Sequence, residues 1–200
     1  MRNSRRLALS ALAAVAAAAA IAPSAFAASD YFLKIDGIPG ETPATDMKGA
    51  IDVRSFSWDV ENNATIGTAT GGAGAGKAQF NELTIEKAVD TTTPTLLQRL
   101  GMGQPIASME LSARKAGAPY LRYCFTTVLV TDQKQEGSTG DDAPQETVTF
   151  RFGAVAQQYT RQTPAGAPAT GPNATVFAGW SQILNKFATD LPSPTCTKAP

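Results

Sequence analysis

Apolar and polar positions alternate along much of this chain, and that two-residue period predicts strands. Ser108 to Arg114 is the clearest case: Met109, Leu111 and Ala113 oppose Ser108, Glu110, Ser112 and Arg114. Leu83 and Ile85 oppose Thr84 and Glu86 in the same way. Val148, Phe150 and Phe152 oppose Thr147, Thr149 and Arg151, and the run continues to Tyr159 with a distortion at Gly153. The longest run, Tyr120 to Val130, is apolar on both sides. Leu121, Tyr123, Phe125 and Leu129 line one face, and Cys124, Val128 and Val130 the other. Such a strand is either central to the fold or covered by a neighbouring subunit. Thr175 to Phe187, with Phe177, Trp180, Ile183 and Leu184, is predicted as the closing strand.

The stretch from Tyr31 to Asp59 combines this patterning with turn chemistry. Tyr31 to Ile35 is a short strand, and Asp36-Gly37-Ile38-Pro39-Gly40 is a turn. Glu41 to Ala50 is a polar loop, and Ile51 to Val60 is a second strand. Its apolar residues change parity: Ile51 and Val53 are followed by Phe56, Trp58 and Val60. A regular strand would place those sets on opposite faces, so a bulge or bend is expected near Arg54-Ser55. One helix is expected, from about Pro94 to Leu100. Thr93 serves as N-cap, Pro94 sits in the first turn, Leu96, Leu97 and Leu100 form an apolar face, and Gly101 ends it. At about two turns it must pack on the sheet to persist.

The connections are polar or glycine-rich. Gly71, four residues, then Gly76-Lys77 fits most of a phosphate-binding loop. The magnesium-holding Ser or Thr is replaced by Ala78, and a strand pattern follows where a helix is required. The stretch is therefore read as a loop between strands. Asp132 to Pro144 is read as a long hairpin loop, residues 160–173 as an exposed Pro-rich insertion, and 189–200 as a Pro-rich tail.

Charge enters the picture at the N-terminus. Arg2, Arg5 and Arg6 precede an Ala-rich apolar run, and Ala25-Phe26-Ala27 matches the small-x-small cleavage pattern. Residues 1–27 are therefore expected to be an export signal cut between Ala27 and Ala28. Ser4-Arg5-Arg6 with Leu9 partly matches a twin-arginine signal, so the twin-arginine and general secretory routes both stay open. Cleavage removes three arginines and no acids, leaving 14 basic against 17 acidic residues, a net charge of −3. That balance argues against nucleic acid or an anionic membrane as partner.

There is no histidine in the chain. Ser-His-Asp and Cys-His catalysis and imidazole metal sites are excluded. The two cysteines, Cys124 and Cys196, would meet an oxidising setting after export. Their bridge would close about 70 residues and stabilise by roughly 4 kcal/mol in the chain-entropy model. The alternative is a buried Cys124 and an independent thiol in the tail. The carboxylates Asp36, Asp52, Asp59, Glu61, Asp141 and Asp142 could in principle supply an acid–base pair, but no spacing singles out two of them. The sequence thus offers no catalytic residue, cofactor site or metal site.

Taken in order, several words of this chain resemble the Hcp family, the tube proteins of type VI secretion. They are Tyr31-Phe32-Leu33-Lys34-Ile35-Asp36-Gly37-Ile38-Pro39-Gly40-Glu41, Ile51-Asp52-Val53 and Ser55-Phe56-Ser57-Trp58. The glycine loop ending in Gly76-Lys77 follows, then Leu83-Thr84-Ile85 with Lys87, and Asp90 with Thr93-Pro94. Arg114-Lys115-Ala116-Gly117, Thr147-Val148-Thr149-Phe150 and Gly179-Trp180 complete the order. The resemblance runs from Tyr31 to about Asn185.

It implies a mostly β fold, a compact β-barrel of two packed sheets with one short helix. It also implies six-fold rings with a wide channel, which stack into a tube and shelter small effector proteins. Two features depart from the family: the export signal, and the Pro-rich insertion with the cysteine-bearing tail. A tube subunit removed from the cytoplasm cannot assemble on a cytoplasmic baseplate. The expected role is a non-enzymatic, self-assembling hexameric-ring subunit, and the alternative is a secreted monomeric binding module that reuses the barrel.

Overall fold

The computed structural model describes residues 28–63 and 77–188. The first strand, β1 (Asp30–Ile35), pairs on one side with β2 (Ile51–Val53) and on the other with β7 (Ile106–Lys115). The chain then passes through β3 (Ser55–Ser57), the hairpin of β4 (Val60–Asn62) with β5 (Ala78–Phe80), β6 (Leu83–Ala88) and helix α1 (Thr93–Met102). After β7 come two long strands, β8 (Ala118–Glu136) and β9 (Gln145–Thr160), then β10 (Thr175–Ser181) and β11 (Lys186–Phe187). The ladder runs β11-β10-β9-β8-β7-β1-β2, with β6 paired to β9 and β3 to β6. The expected mostly β barrel with one helix is what forms, although the ladder is not a closed ring. Along the branch β3-β6-β9-β8-β7-β1-β2 the two ends, β2 and β3, follow one another in the chain.

The parity change near Arg54 has a specific cause. At Arg54 the chain leaves β1 and takes β6 as its partner, and the Arg54 amide donates to the Glu86 carbonyl at 2.7 Å. Ile51 and Val53 point into the core before the switch, and Phe56 and Trp58 pack against it afterwards. The expected single strand from Ile51 to Val60 is therefore three short ones, and Val60 is exposed.

The two-faced strand has a related explanation. Thr127 has a φ of 54°, in the left-handed region. It turns β8 over, so that Phe125 before it and Val128 and Val130 after it enter one core. Gly153 lies opposite in β9, where the buried parity likewise passes from Val148, Phe150 and Phe152 to Val155. A β-carbon on Gly153 would lie 3.1 Å from that of Thr127. Cys124, against Ala156 and Phe177, and the exposed Leu129 are left on the outer face.

The polar side of β7 is covered as well: Ser108, Glu110, Ser112 and Arg114 are all buried. Other expectations need correction. β8 runs on to Glu136, so the long hairpin loop shrinks to residues 137–144. Thr175 to Phe187 is not one closing strand. Residues 182–185 form a turn, with Asn185 at a φ of 51°, and β10 lies beside β9 rather than sealing the barrel. Residues 161–174 fold back on themselves, with Gln162 bridged to Pro168 and the Arg161 amide donating to the Ala174 carbonyl at 2.8 Å.

Helix α1 starts one residue earlier than expected and ends two later. Thr92 is the capping residue, and Gly103, at a φ of 60°, closes the C-terminus. The Gly103 amide donates to Leu100 and that of Gln104 to Arg99, both at 3.2 Å, the double return that a left-handed glycine permits. Leu96 is buried and Leu100 packs on the core, but Leu97 faces out.

Candidate assembly surfaces

The helix is fastened to the barrel by a buried charge cluster. The strand parity that buries Leu83 and Ile85 also turns Lys87 inward, and its side chain is fully buried. Its Nζ lies 2.6 Å from Glu146 Oε2, 2.8 Å from Asp90 Oδ1 and 3.2 Å from Thr93 Oγ1. It also donates to the Ala88 carbonyl at 2.8 Å. Thr93 Oγ1 donates to Glu146 Oε2 at 2.7 Å and accepts from the Asp90 amide at 3.1 Å. Gln133 Nε2, from β8, donates to Glu146 and to the Thr93 carbonyl. Every donor of the ammonium is met, as burial of a charge demands. Sequence reading missed this role for Lys87, although its parity with Leu83 and Ile85 was visible.

A second pair secures the loop of residues 41–50. Arg114 donates from both terminal nitrogens to the Asp46 carboxylate and also to the Gly117 carbonyl. Its guanidinium carbon lies 5.5 Å from the centre of the Phe32 ring. The turn Ala116-Gly117, with φ of 48° and 80°, joins β7 to β8 and brings that carbonyl within reach. The Arg114 hydrogen bond holds the Asp46 carboxyl below its ordinary value of 3.8. Arg122 makes a similar two-pronged contact to Glu110, at 3.0 and 2.5 Å.

Among the described residues, besides Val60, large apolar side chains are exposed in two parts of the fold. On the first, Leu97 and Met102 project from α1, and Leu129 from β8. On the second, Tyr159 and Val176 are register partners across β9 and β10, and Ile183, Leu184 and Phe187 follow in the turn and in β11. Beside this second patch lies a cavity of about 680 Å³. Trp58, Phe80, Trp180 and Phe187 supply its aromatic wall.

The family is decided by comparison with known proteins. A family model described as "Type VI secretion system effector, Hcp" matches residues 32–159. The chain belongs to the Hcp family. Protein hcp1 of Pseudomonas aeruginosa is 34% identical over 158 residues, covering 77% of this chain and 95% of that protein. A solved structure of a type six secretion system protein superposes with a TM-score of 0.75 at 30% identity, covering 80% of this chain and all of the other. Hcp1 from Salmonella typhimurium gives a TM-score of 0.65 at 32% identity, covering 80% and 99%.

The Hcp words found in the sequence can now be placed. The first is β1 and its turn. Gly40 lies there against the backbone of Ala50, where a β-carbon would collide with the Ala50 carbonyl. Lys87, Asp90 and Thr93 make the buried cluster, and Arg114 to Gly117 make the loop clamp. The family match ends within β9, so β10, β11 and the tail lie beyond it.

The candidate site residues stand as follows. Asp36, Asp52, Asp59, Glu61, Asp141 and Asp142 are all exposed. Three of them serve local structure: Asp52 accepts from Thr42, Asp59 from Asn81 and Asp141 from the Ser138 amide. Among the described residues no group of three or more carboxylates, cysteines or histidines could hold a metal ion. Lys77 is exposed and leads into β5, a strand. The glycines of the phosphate-loop lookalike, residues 71–76, lie outside the described residues. So do Ala27 and the rest of the expected export signal, while Ala28 is exposed. Cys124 is buried and is not a free thiol. Cys196 lies outside the described residues.

Proposed function

We propose that this Hcp protein is a non-enzymatic ring subunit, which closes into hexamers that stack and enclose small secreted effector proteins. The observation that carries this reading is the pair of separate apolar patches. A ring needs head-to-tail contacts between two different surfaces, not one surface meeting itself. The patch on α1 and β8 and the patch on β9, β10 and β11 supply two such surfaces. Isolated exposed hydrophobics are ordinary, but Tyr159 and Val176 are register partners, and Phe187 pairs with Trp180 further along the same strand β10.

The export signal of residues 1–27, cut between Ala27 and Ala28, would place the mature subunit outside the cytoplasm by the general secretory or twin-arginine route. In that oxidising setting Cys124 and Cys196 join as a disulfide. Light scattering and negative-stain microscopy of the exported protein test the assembly. Six-fold rings are expected, and a strict monomer at high concentration overturns the reading. The cavity wall of Trp58, Phe80, Trp180 and Phe187 favours a second reading, a monomeric binding module with an apolar ligand. Featureless single particles that retain such a ligand would support it.

A further inference from the structure

The core-facing side of the sheet runs on past the aromatic ring that covers it. Phe125 pairs with Val155, and Val155 with Trp180; Tyr123 pairs with Gln157, and Gln157 with Ala178. Register partners share a face, so these six positions lie on one side of β8, β9 and β10. Over β8 that side is capped by Trp58, whose ring centroid lies 5.6 Å from that of Tyr123 and 6.4 Å from that of Phe125. Toward β10 the cap gives way to the cavity of about 680 Å³. Its size falls in the range of small-molecule sites, about 300–1,000 Å³.

The lining is aromatic on two sides and carries charge of one sign. Trp58 and Phe80 come from the chain on either side of the β4–β5 hairpin, and Trp180 and Phe187 from β10 and β11. The last two rings meet edge to face, with centroids 5.3 Å apart and planes at 82°. Ala78, Ala178 and Gly179 add little bulk between such rings. A flat ring can stack here or meet the ring edges, which a saturated chain cannot do. Asn62, Gln157 and Asn185 bring amides and Lys77 an ammonium, while no carboxylate lines the cavity. Acids and bases are nevertheless equal in number along the chain, at 17 each. Lys77 makes no ion pair among the described residues. It directly precedes Ala78, the register partner of Asn62.

We propose that this cavity binds a small planar aromatic anion, an aryl carboxylate. Its ring lies between the two aromatic walls, and its carboxylate faces Lys77 and the Asn62 amide. The inference rests on the reading of this cavity as a ligand site and names the ligand's class. It holds for a ring and for a monomer alike, because every group it uses comes from one chain.

The test titrates the exported protein, in the assembly it forms, with naphthoate, naphthamide and naphthylmethylammonium. These share one ring system and differ in charge. Calorimetry is expected to show naphthoate bound about fivefold tighter than naphthamide, the scale of one exposed charge pair, and the cation weakest. Lys77→Gln is expected to remove the difference between naphthoate and naphthamide without weakening naphthamide. Equal affinities in the wild type overturn the anion preference and leave an apolar ligand site. Binding of none of the three overturns the ligand site as well. Trp58 and Trp180 are the only tryptophans in the chain, so fluorotryptophan labelling reports the place of binding. At least one fluorine resonance is expected to move with naphthoate. If neither moves, the ligand sits elsewhere and the proposal fails. Ala178→Phe, at an exposed position of the lining, is expected to abolish binding of naphthoate and naphthamide alike, and full binding by that variant also overturns the site. Light scattering on the same samples reads ring formation separately.

Discussion

At the two ends of the long strand β8, charges do the same job in opposite surroundings. Near its C-terminal end Lys87 and Glu146, both fully buried, hold helix α1 to the barrel with Gln133. At its start the Arg114 side chain is 8% exposed and its partner Asp46 59%, and they hold the loop of residues 41–50. The difference lies in what water can replace. If Lys87 is removed, Glu146 is left charged where no solvent reaches it. If Asp46 is removed, Arg114 keeps its bond to the Gly117 carbonyl, and water can take the exposed place of the carboxylate. Similar bonds therefore carry different penalties, and the helix end is predicted to be far less tolerant of change.

The largest expected effect is Lys87→Met, which leaves Glu146 without its cation and should cost about 3–5 kcal/mol in denaturant unfolding. The double change Lys87→Met with Glu146→Leu should recover much of that loss. If the double variant is as unstable as the single, the uncompensated charge is not the cause. Gly40→Ala comes next. Its β-carbon meets the Ala50 carbonyl, so an overpacking cost of about 1–3 kcal/mol is expected, with faster hydrogen exchange at Thr42 and Ala50.

At the exposed end the expected effect is a pH dependence. The folded pKa of Asp46 lies below 3.8 because Arg114 bonds to its ionised form. The unfolded chain therefore takes up the proton first as pH falls. The contribution of Asp46 is complete above its unfolded pKa and is lost as pH drops below about 4 through the folded value. Asp46→Asn should flatten the acid limb of a stability–pH curve. An unchanged limb would mean that other carboxylates dominate it. Last is Arg151→Ala on the outside of β9. Its bond to Glu82 is exposed, with Arg151 at 73%, and its loss should register within about 0.5 kcal/mol.

Much of the fold could be read from alternation. Met109, Leu111 and Ala113, Leu83 and Ile85, and Val148, Phe150 and Phe152 enter the core as their parity predicts. The bend at Arg54 also left a mark, since it moves the apolar set from odd to even positions. Lys87 shares the inward parity and was still passed over, because a lysine in a strand ordinarily faces water. The apparent two-faced strand was misread for a physical reason. Thr127 has a side chain that gives no warning of a left-handed φ, and the face switch it causes mimics a second buried surface. The helix end was misplaced because Gly101 and Gly103 both fit a stop signal. The paired returns to Leu100 and Arg99 choose Gly103.

The sequence by itself determined the strand-rich class, the single helix, the lack of histidine chemistry and the family word order. Each of these depends on residue type and local spacing. Only the tertiary structure decided which strands neighbour one another, that the polar side of β7 is covered, and that Lys87 and Glu146 meet across 59 positions of chain. It also placed Cys124, Ala156 and Gly179 in one row across three strands. Such facts depend on pairing between distant segments, and a period of two records which face a residue takes but not what lies opposite.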